Sequence, residues 1–160
     1  MSIREIEITL IDGTKTTFGA LGKGPVLVVN VASRCGLTPQ YEALEALQKA
    51  YGQRGLTVVG MPSDQFKQEL ASNEAVAEYC STTWGVTFPM TEKIKVNGRN
   101  RHELYKTLVK TKDARGLAGP VMWNFEKFLV NPDGSIVRFR PTTKPDDPSV
   151  IAAIEAALGN

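Results

Sequence analysis

Residues 25–31, PVLVVNV, form an almost continuous apolar and β-branched run. A run this short cannot cross a bilayer, and one this uniformly apolar has no polar face to offer water. It fits a strand covered on both sides of a sheet, which in soluble proteins is characteristically a parallel strand joined to its neighbour by a helix. The helix signal follows at once. Thr38 and Pro39 read as an N-cap and first helical position, opening a helix over 39–51 with Tyr41, Leu44 and Leu47 on one face. Gly55 ends that crossover, and residues 56–61, LTVVGM, supply a second buried strand. The pattern predicts a right-handed βαβ unit.

The flanks have a different rhythm. Residues 3–10 alternate apolar and polar side chains, Asp12-Gly13 is a turn signal, and residues 14–18 read as the return strand of a hairpin. Further on, Ser72 is placed to cap a helix over 73–82, and a short helix is expected over 101–110. Gly116 and Gly119-Pro120 mark a loop before a strand over 125–130. The turn Asn131-Pro132-Asp133-Gly134 then leads into a strand over 135–139. Asp147-Pro148 opens the last helix, with Ile151, Ile154 and Leu158 as its expected buried stripe and Gly159 as its stop. A parallel βαβ half followed by an antiparallel ββα half predicts an α/β, thioredoxin-like fold: a central mixed sheet flanked by helices, with an extra N-terminal β-hairpin. At 160 residues the chain is expected to be one domain over 1–160.

Composition excludes several kinds of function. Lys plus Arg exceed Asp plus Glu by only two, too even a balance to predict a nucleic-acid surface. No apolar run has the length of a membrane span, and Arg4, Glu5 and Glu7 interrupt what a secretory signal needs to be apolar. Cys35 and Cys80 are the only cysteines, which rules out a disulfide-built scaffold and points to a reducing cytoplasm. They lie 45 residues apart in a chain whose single histidine is His102, so no zinc spacing exists and no metal or cofactor is expected. There is no glycine-rich phosphate loop.

The chemistry is expected around Cys35. It follows the end of the first buried strand and precedes a helix, the crevice where reactive groups collect in open α/β sheets. A thiol there meets backbone N–H groups and the positive end of the helix dipole, both of which stabilise a thiolate. A buried structural cysteine is the commoner alternative, but Ser33, Arg34 and Gly36 make a polar turn rather than a core segment. Position 38 is Thr, so the CxxC pair of a disulfide exchanger is absent. Cys80 falls near the end of its helix. From position alone it reads equally well as an apolar helix residue or as a second thiol able to resolve a sulfenic acid.

Longer stretches then carry a resemblance. NVASRCGLTPQYEALEALQKAY at 30–51, MPSDQFKQE at 61–69, WGVTFPM at 84–90, KIKVNGRNRHELY at 93–105 and WNFEKFLV at 123–130 resemble, in order and spacing, the glutathione peroxidase family in its cysteine-containing form. The resemblance covers nearly the whole chain. It implies a peroxidase acting on hydrogen peroxide or organic hydroperoxides, with Cys35 at the peroxidatic position and a surround of Gln, Trp and Asn. Trp123 and Asn124 match the last two. Gln68 is assigned to the first, through a loop one residue shorter than the family pattern, with Gln65 as the other candidate. Ser63-Asp64 and Leu70-Ala71 also depart from that pattern, and an Asp beside a thiolate opposes its ionisation unless it turns outward to cap the loop.

Cys80 matches the resolving cysteine of the thioredoxin-using branch. The resemblance therefore implies sulfenic acid at Cys35, a disulfide with Cys80 after local unwinding of the 73–82 helix, and reduction by thioredoxin. Two alternatives stand beside it: glutathione as reductant with Cys80 structural, or a peroxide sensor that passes its oxidation to a partner protein. Only fourteen residues separate Leu108 from Trp123, so the insertion used for assembly by tetrameric relatives is missing and a monomer is expected.

Overall fold

The computed structural model describes residues 2–159, so the two end residues of the expected 1–160 domain lie outside it. A four-stranded sheet in the order β4-β3-β5-β6 forms the centre. Strand β3 (Val26–Val31) pairs in parallel with β4 (Thr57–Pro62) and antiparallel with β5 (Lys127–Val130), which pairs antiparallel with β6 (Ile136–Phe139). Every residue of β3 is buried, as its uninterrupted apolar run requires. Helix α2 (Gln40–Tyr51) makes the β3–β4 crossover.

The strand pleat sorts the core into two layers. Leu27, Val29 and Val31 face one side with Leu129 and Phe139, against Tyr41, Leu44 and Leu47 of α2 and Val150 and Ile154 of α5 (Pro148–Ala157). Val26, Val28, Val59, Met61, Phe128 and Val130 face the other side. There they meet Leu104, Tyr105 and Leu108 of α4 (Glu103–Leu108) and Ile6, Ile8 and Phe18 from the N-terminal segment. Each such fully buried aliphatic side chain contributes roughly 1.5–3 kcal/mol. This mixed sheet with helices on both faces is the architecture the sequence pattern predicts.

Local departures have local causes. Ile3–Glu5 form a 3-10 turn capped by Ser2, which shortens the first strand to β1 (Glu7–Thr9). Its partner β2 (Lys15–Thr17) runs straight into a one-turn helix, α1 (Phe18–Leu21), because the Thr17 hydroxyl accepts from Ala20 N. Val150 and Ile154 are the fully buried residues of α5, whereas the expected Ile151 and Leu158 are only partly covered. Gly60 in β4 is required by a close approach. A Cβ there would stand 2.5 Å from Met90 Sδ, where the 88–91 segment bridges to the strand.

Helix α3 (Asn73–Tyr79) begins at the Ser72 cap, as expected, but stops short of Thr82. From Cys80 to Trp84 the backbone winds as a π-helix. Gly85, at φ +63°, closes it, with Val86 N donating to Cys80 O.

Candidate active site

Three loops meet at the carboxyl end of β3, and the first carries Cys35. The thiol is buried at 7% exposure, although Arg34 and Gly36 on either side are exposed. Thr38 shapes this turn: its hydroxyl accepts from Cys35 N at 3.0 Å and donates to Ala32 O at 2.9 Å. It therefore does not cap α2, which starts at Gln40 with Pro39 in the cap position and no side-chain cap. The expected N-cap role of Thr38 is corrected on this point, because the nearer orphan groups are those of the cysteine turn. Leu37 N donates to Cys35 Sγ at 3.3 Å, so the sulfur sits against a backbone donor.

The second loop runs from Ser63 to Ser72 and is strapped to the first by two contacts. Arg34 N donates to the Gln68 carbonyl at 2.8 Å, and Ser33 N donates to Glu69 Oε1 at 3.0 Å. Asp64 is exposed and accepts from Glu69 N at 3.3 Å, so it caps the loop from outside, the geometry that spares a neighbouring thiolate. Lys67 adopts a left-handed φ of 61°, unusual for a residue with a side chain.

The third loop holds Trp123 and Asn124, and its anchor is Asn30. Asn30 Nδ2 donates to Trp123 O, Asn30 Oδ1 accepts from Glu126 N, and Asn30 O accepts from Phe125 N. Phe125 is held at φ +67°, a costly conformation for an aromatic residue, and the buried Lys127 ammonium donates to its carbonyl at 2.6 Å. The same ammonium donates to Pro141 O, which also accepts from Gln40 at the start of α2. This bend aims Asn124 inward, where its Nδ2 donates to Gln68 Oε1 at 2.9 Å. Trp123 stays at the surface, 39% exposed, with its ring 5.3 Å from that of Phe66.

Of the two candidate glutamines, Gln68 meets Asn124. Gln65 is engaged elsewhere, its Oε1 accepting from Val96 and Asn97 N–H groups and its Nε2 donating to Asn97 O. With Oε1 accepting from Asn124, Gln68 keeps its own amide N–H groups as donors. An indole N–H, a carboxamide and a thiol turn rich in backbone N–H groups can hold a thiolate and steady charge on a departing oxygen.

Cys80 lies at the junction of α3 and the π turn, 2% exposed, in the same hydrophobic cluster as Cys35 and Tyr41. Both cysteines are free. Burial pushes the Cys80 thiol up to about 11, the Tyr41 hydroxyl beside it offsetting part of that and the Glu69 carboxylate adding to it. Burial likewise raises the Glu69 carboxyl. Among the described residues no group of three or more His, Cys, Asp or Glu could hold a metal ion. His102 is used instead as the cap of α4, its Nδ1 accepting from Leu104 N.

Asn30, Glu69 and Lys127 escape a reading of the sequence for chemistry. Their one signal is a polar residue inside or beside an apolar run, which demands a buried partner without saying which.

Comparison with known proteins gives a consistent result. The family model described as glutathione peroxidase matches residues 3–109. The chain is 46% identical to the thioredoxin/glutathione peroxidase BtuE of Escherichia coli K12, over 92% of each chain. It is 48% identical to the hydroperoxy fatty acid reductase Gpx2 of Synechocystis, over 95% of this chain and 96% of that one. Among solved structures, the crystal structure of T. cruzi GPX1 superimposes with a TM-score of 0.77 at 30% identity, covering 100% of this chain and 98% of that one.

Proposed function

This chain belongs to the glutathione peroxidase family, and on that premise we propose that Cys35 is its peroxidatic thiol and Cys80 its resolving thiol. The enzyme is a thiol-dependent peroxidase linked to thioredoxin. The Cys35 thiolate attacks the terminal oxygen of the hydroperoxide, the O–O bond breaks, and the alkoxide leaves as alcohol with a proton. Cysteine is thereby oxidised to sulfenic acid. Gln68, Trp123 and Asn124 supply donors for the thiolate and the leaving oxygen. Cys80 then displaces hydroxide from the sulfenic sulfur, forming a 35–80 disulfide that a thioredoxin dithiol reopens.

One observation carries this reading: the Asn124–Gln68 hydrogen bond, which joins residues 56 positions apart on loops flanking the Cys35 turn. The π turn supports the second step, since Cys80 stands where the regular i→i−4 ladder ends. We read the chain as one domain, working as a monomer in a reducing cytoplasm. Among the described residues no helix is long and apolar enough to cross a membrane.

A second reading, glutathione as reductant with Cys80 structural, draws on the near-complete burial of Cys80. NADPH-coupled turnover separates the two. The thioredoxin route requires activity with thioredoxin and its reductase that disappears in both Cys35→Ser and Cys80→Ser. Glutathione-driven turnover surviving Cys80→Ser would establish the second reading instead.

A further inference from the structure

Asn124 has little of its own to hold it. Its side chain is fully buried, its Nδ2 donates to Gln68 Oε1 at 2.9 Å, and its Oδ1 has no hydrogen-bond partner. A carboxamide anchored at one end takes its direction from its backbone. That backbone turns through Phe125 at φ +67°, a conformation that persists only where the surroundings over-determine it.

Two residues hold the bend. Asn30 holds its entry, through Trp123 O and Phe125 N. Lys127 holds its exit, the Nζ donating to Phe125 O at 2.6 Å and to Pro141 O at 3.1 Å. This lysine is completely buried. Among the described residues no carboxylate lies within ion-pair distance of it, and the adjacent Glu126 pairs with Arg138 and Arg140. Position 127 lies opposite Phe139 in the sheet, where an aliphatic side chain would avoid the cost of desolvating an amine. What the amine gains there is two carbonyl contacts, which it can make with three protons or with two.

The two carbonyls belong to different parts of the site. Phe125 O closes the Asn124 bend. Pro141 O, in the segment after β6, also accepts from Gln40 Nε2 at 2.9 Å. Gln40 opens α2, and its backbone N donates to Leu37 O at 2.9 Å, while Leu37 N is the donor that faces Cys35 Sγ. A continuous run of contacts therefore leads from the Asn124 bend, through one amine, one carbonyl and one carboxamide, to the turn around the sulfur.

We propose that Lys127 is a positioning residue for peroxide reduction: by spanning Phe125 O and Pro141 O it sets where the Asn124–Gln68 pair stands relative to the Cys35 turn. The role rests on the reading of Asn124 as a donor at the Cys35 site. Lys127 acts through Asn124, so its effect on the reaction exists only while Asn124 is present.

A double-mutant cycle tests that dependence. Lys127→Met keeps an unbranched side chain and removes both donors. Reduced wild type, Lys127→Met, Asn124→Ala and the double variant are mixed with hydrogen peroxide, quenched by alkylation, and the remaining Cys35 thiol is counted by mass spectrometry. Circular dichroism checks the fold of each. The expected result is a loss of about tenfold in the rate of Cys35 oxidation for Lys127→Met, and less than about twofold further loss when it is added to Asn124→Ala. A merely structural lysine slows oxidation by the same factor in both backgrounds. That outcome overturns the proposal, as does oxidation at the wild-type rate in Lys127→Met. Gln40→Leu cuts the bridge at its α2 end with the amine in place, and decides the matter if Lys127→Met does not fold. It is expected to show a smaller loss with the same dependence on Asn124, and no loss, or a loss independent of Asn124, overturns the role. If Asn124→Ala alone oxidises as fast as wild type, the reading of Asn124 itself fails, and the positioning role falls with it.

Discussion

Cys35 and Cys80 sit in one hydrophobic cluster, both free and both nearly inaccessible, yet their surroundings are opposite in kind. Around Cys35 the chain is turn and loop. Its sulfur accepts a backbone N–H, and two further loops are tied to the turn through Gln68, Glu69 and Asn30. Around Cys80 the backbone is helical on both sides, so its N–H groups are spent on the ladder and the sulfur meets apolar side chains and one phenol. Burial alone thus says little about a thiol. What separates the two is whether backbone donors are free to face the sulfur.

The largest effect expected from breaking this contrast is Cys35→Ser. Removing the attacking thiolate lowers peroxide turnover by on the order of 10⁴-fold or more in the coupled assay, while circular dichroism stays that of wild type. Asn124→Ala comes next. It removes the donor that orients Gln68, and the expected loss is about 10²-fold in kcat/KM for hydroperoxide, carried by the rate of Cys35 oxidation.

The buried titratable groups sharpen the comparison through pH. Burial depresses Lys127, on the Cys35 side, from 10.5 to about 7. The folded state therefore binds fewer protons than the unfolded chain above pH 7, and stability rises as pH climbs towards 10.5. Cys80 has the reverse sign. Its raised proton affinity stabilises the fold below pH 9, and that contribution is lost as pH rises from 9 towards 11. Urea unfolding should show stability increasing between pH 7 and 9 by up to about 1.4 kcal/mol per unit. The gain is expected to vanish in Lys127→Met; above pH 9 the opposing Cys80 contribution levels the wild-type curve, and in Cys80→Ala stability is expected to go on rising towards pH 10.5.

The smallest expected effect is Lys67→Gly. It relieves a left-handed backbone and raises stability by up to about 1 kcal/mol in thermal melts, without moving Cys35 reactivity.

Much of this was legible beforehand, for identifiable reasons. The PVLVVNV run, the Ser72 cap and the Asn131–Gly134 turn are local signals, and each marks the element that the fold contains. The residues of the site were readable as types at positions, from the Cys35 turn and the resemblance of the WNF block. Their partnerships were not. Nothing local distinguishes Gln68 from Gln65, three residues earlier on the same loop, until one meets Asn124 and the other the 96–97 backbone. Thr38 reads as a cap because Thr-Pro before a helical run usually is one, but a hydroxyl bonds the nearest orphan groups, and these belong to the Cys35 turn.

The sequence by itself determined the order of strands and helices, the two-layer core and the positions of both thiols, because periodicity and capping act over a few residues. Only the tertiary structure decided what each polar group faces. Asn30 gathering the 123–126 bend, Lys127 holding Phe125, and Glu69 strapping its loop to Ser33 beside the Cys35 turn all depend on contacts across 30 or more residues or on a bend those contacts impose. A buried donor or acceptor must find a partner wherever the packed chain supplies one, and that place is set by the whole fold rather than by its neighbours in sequence.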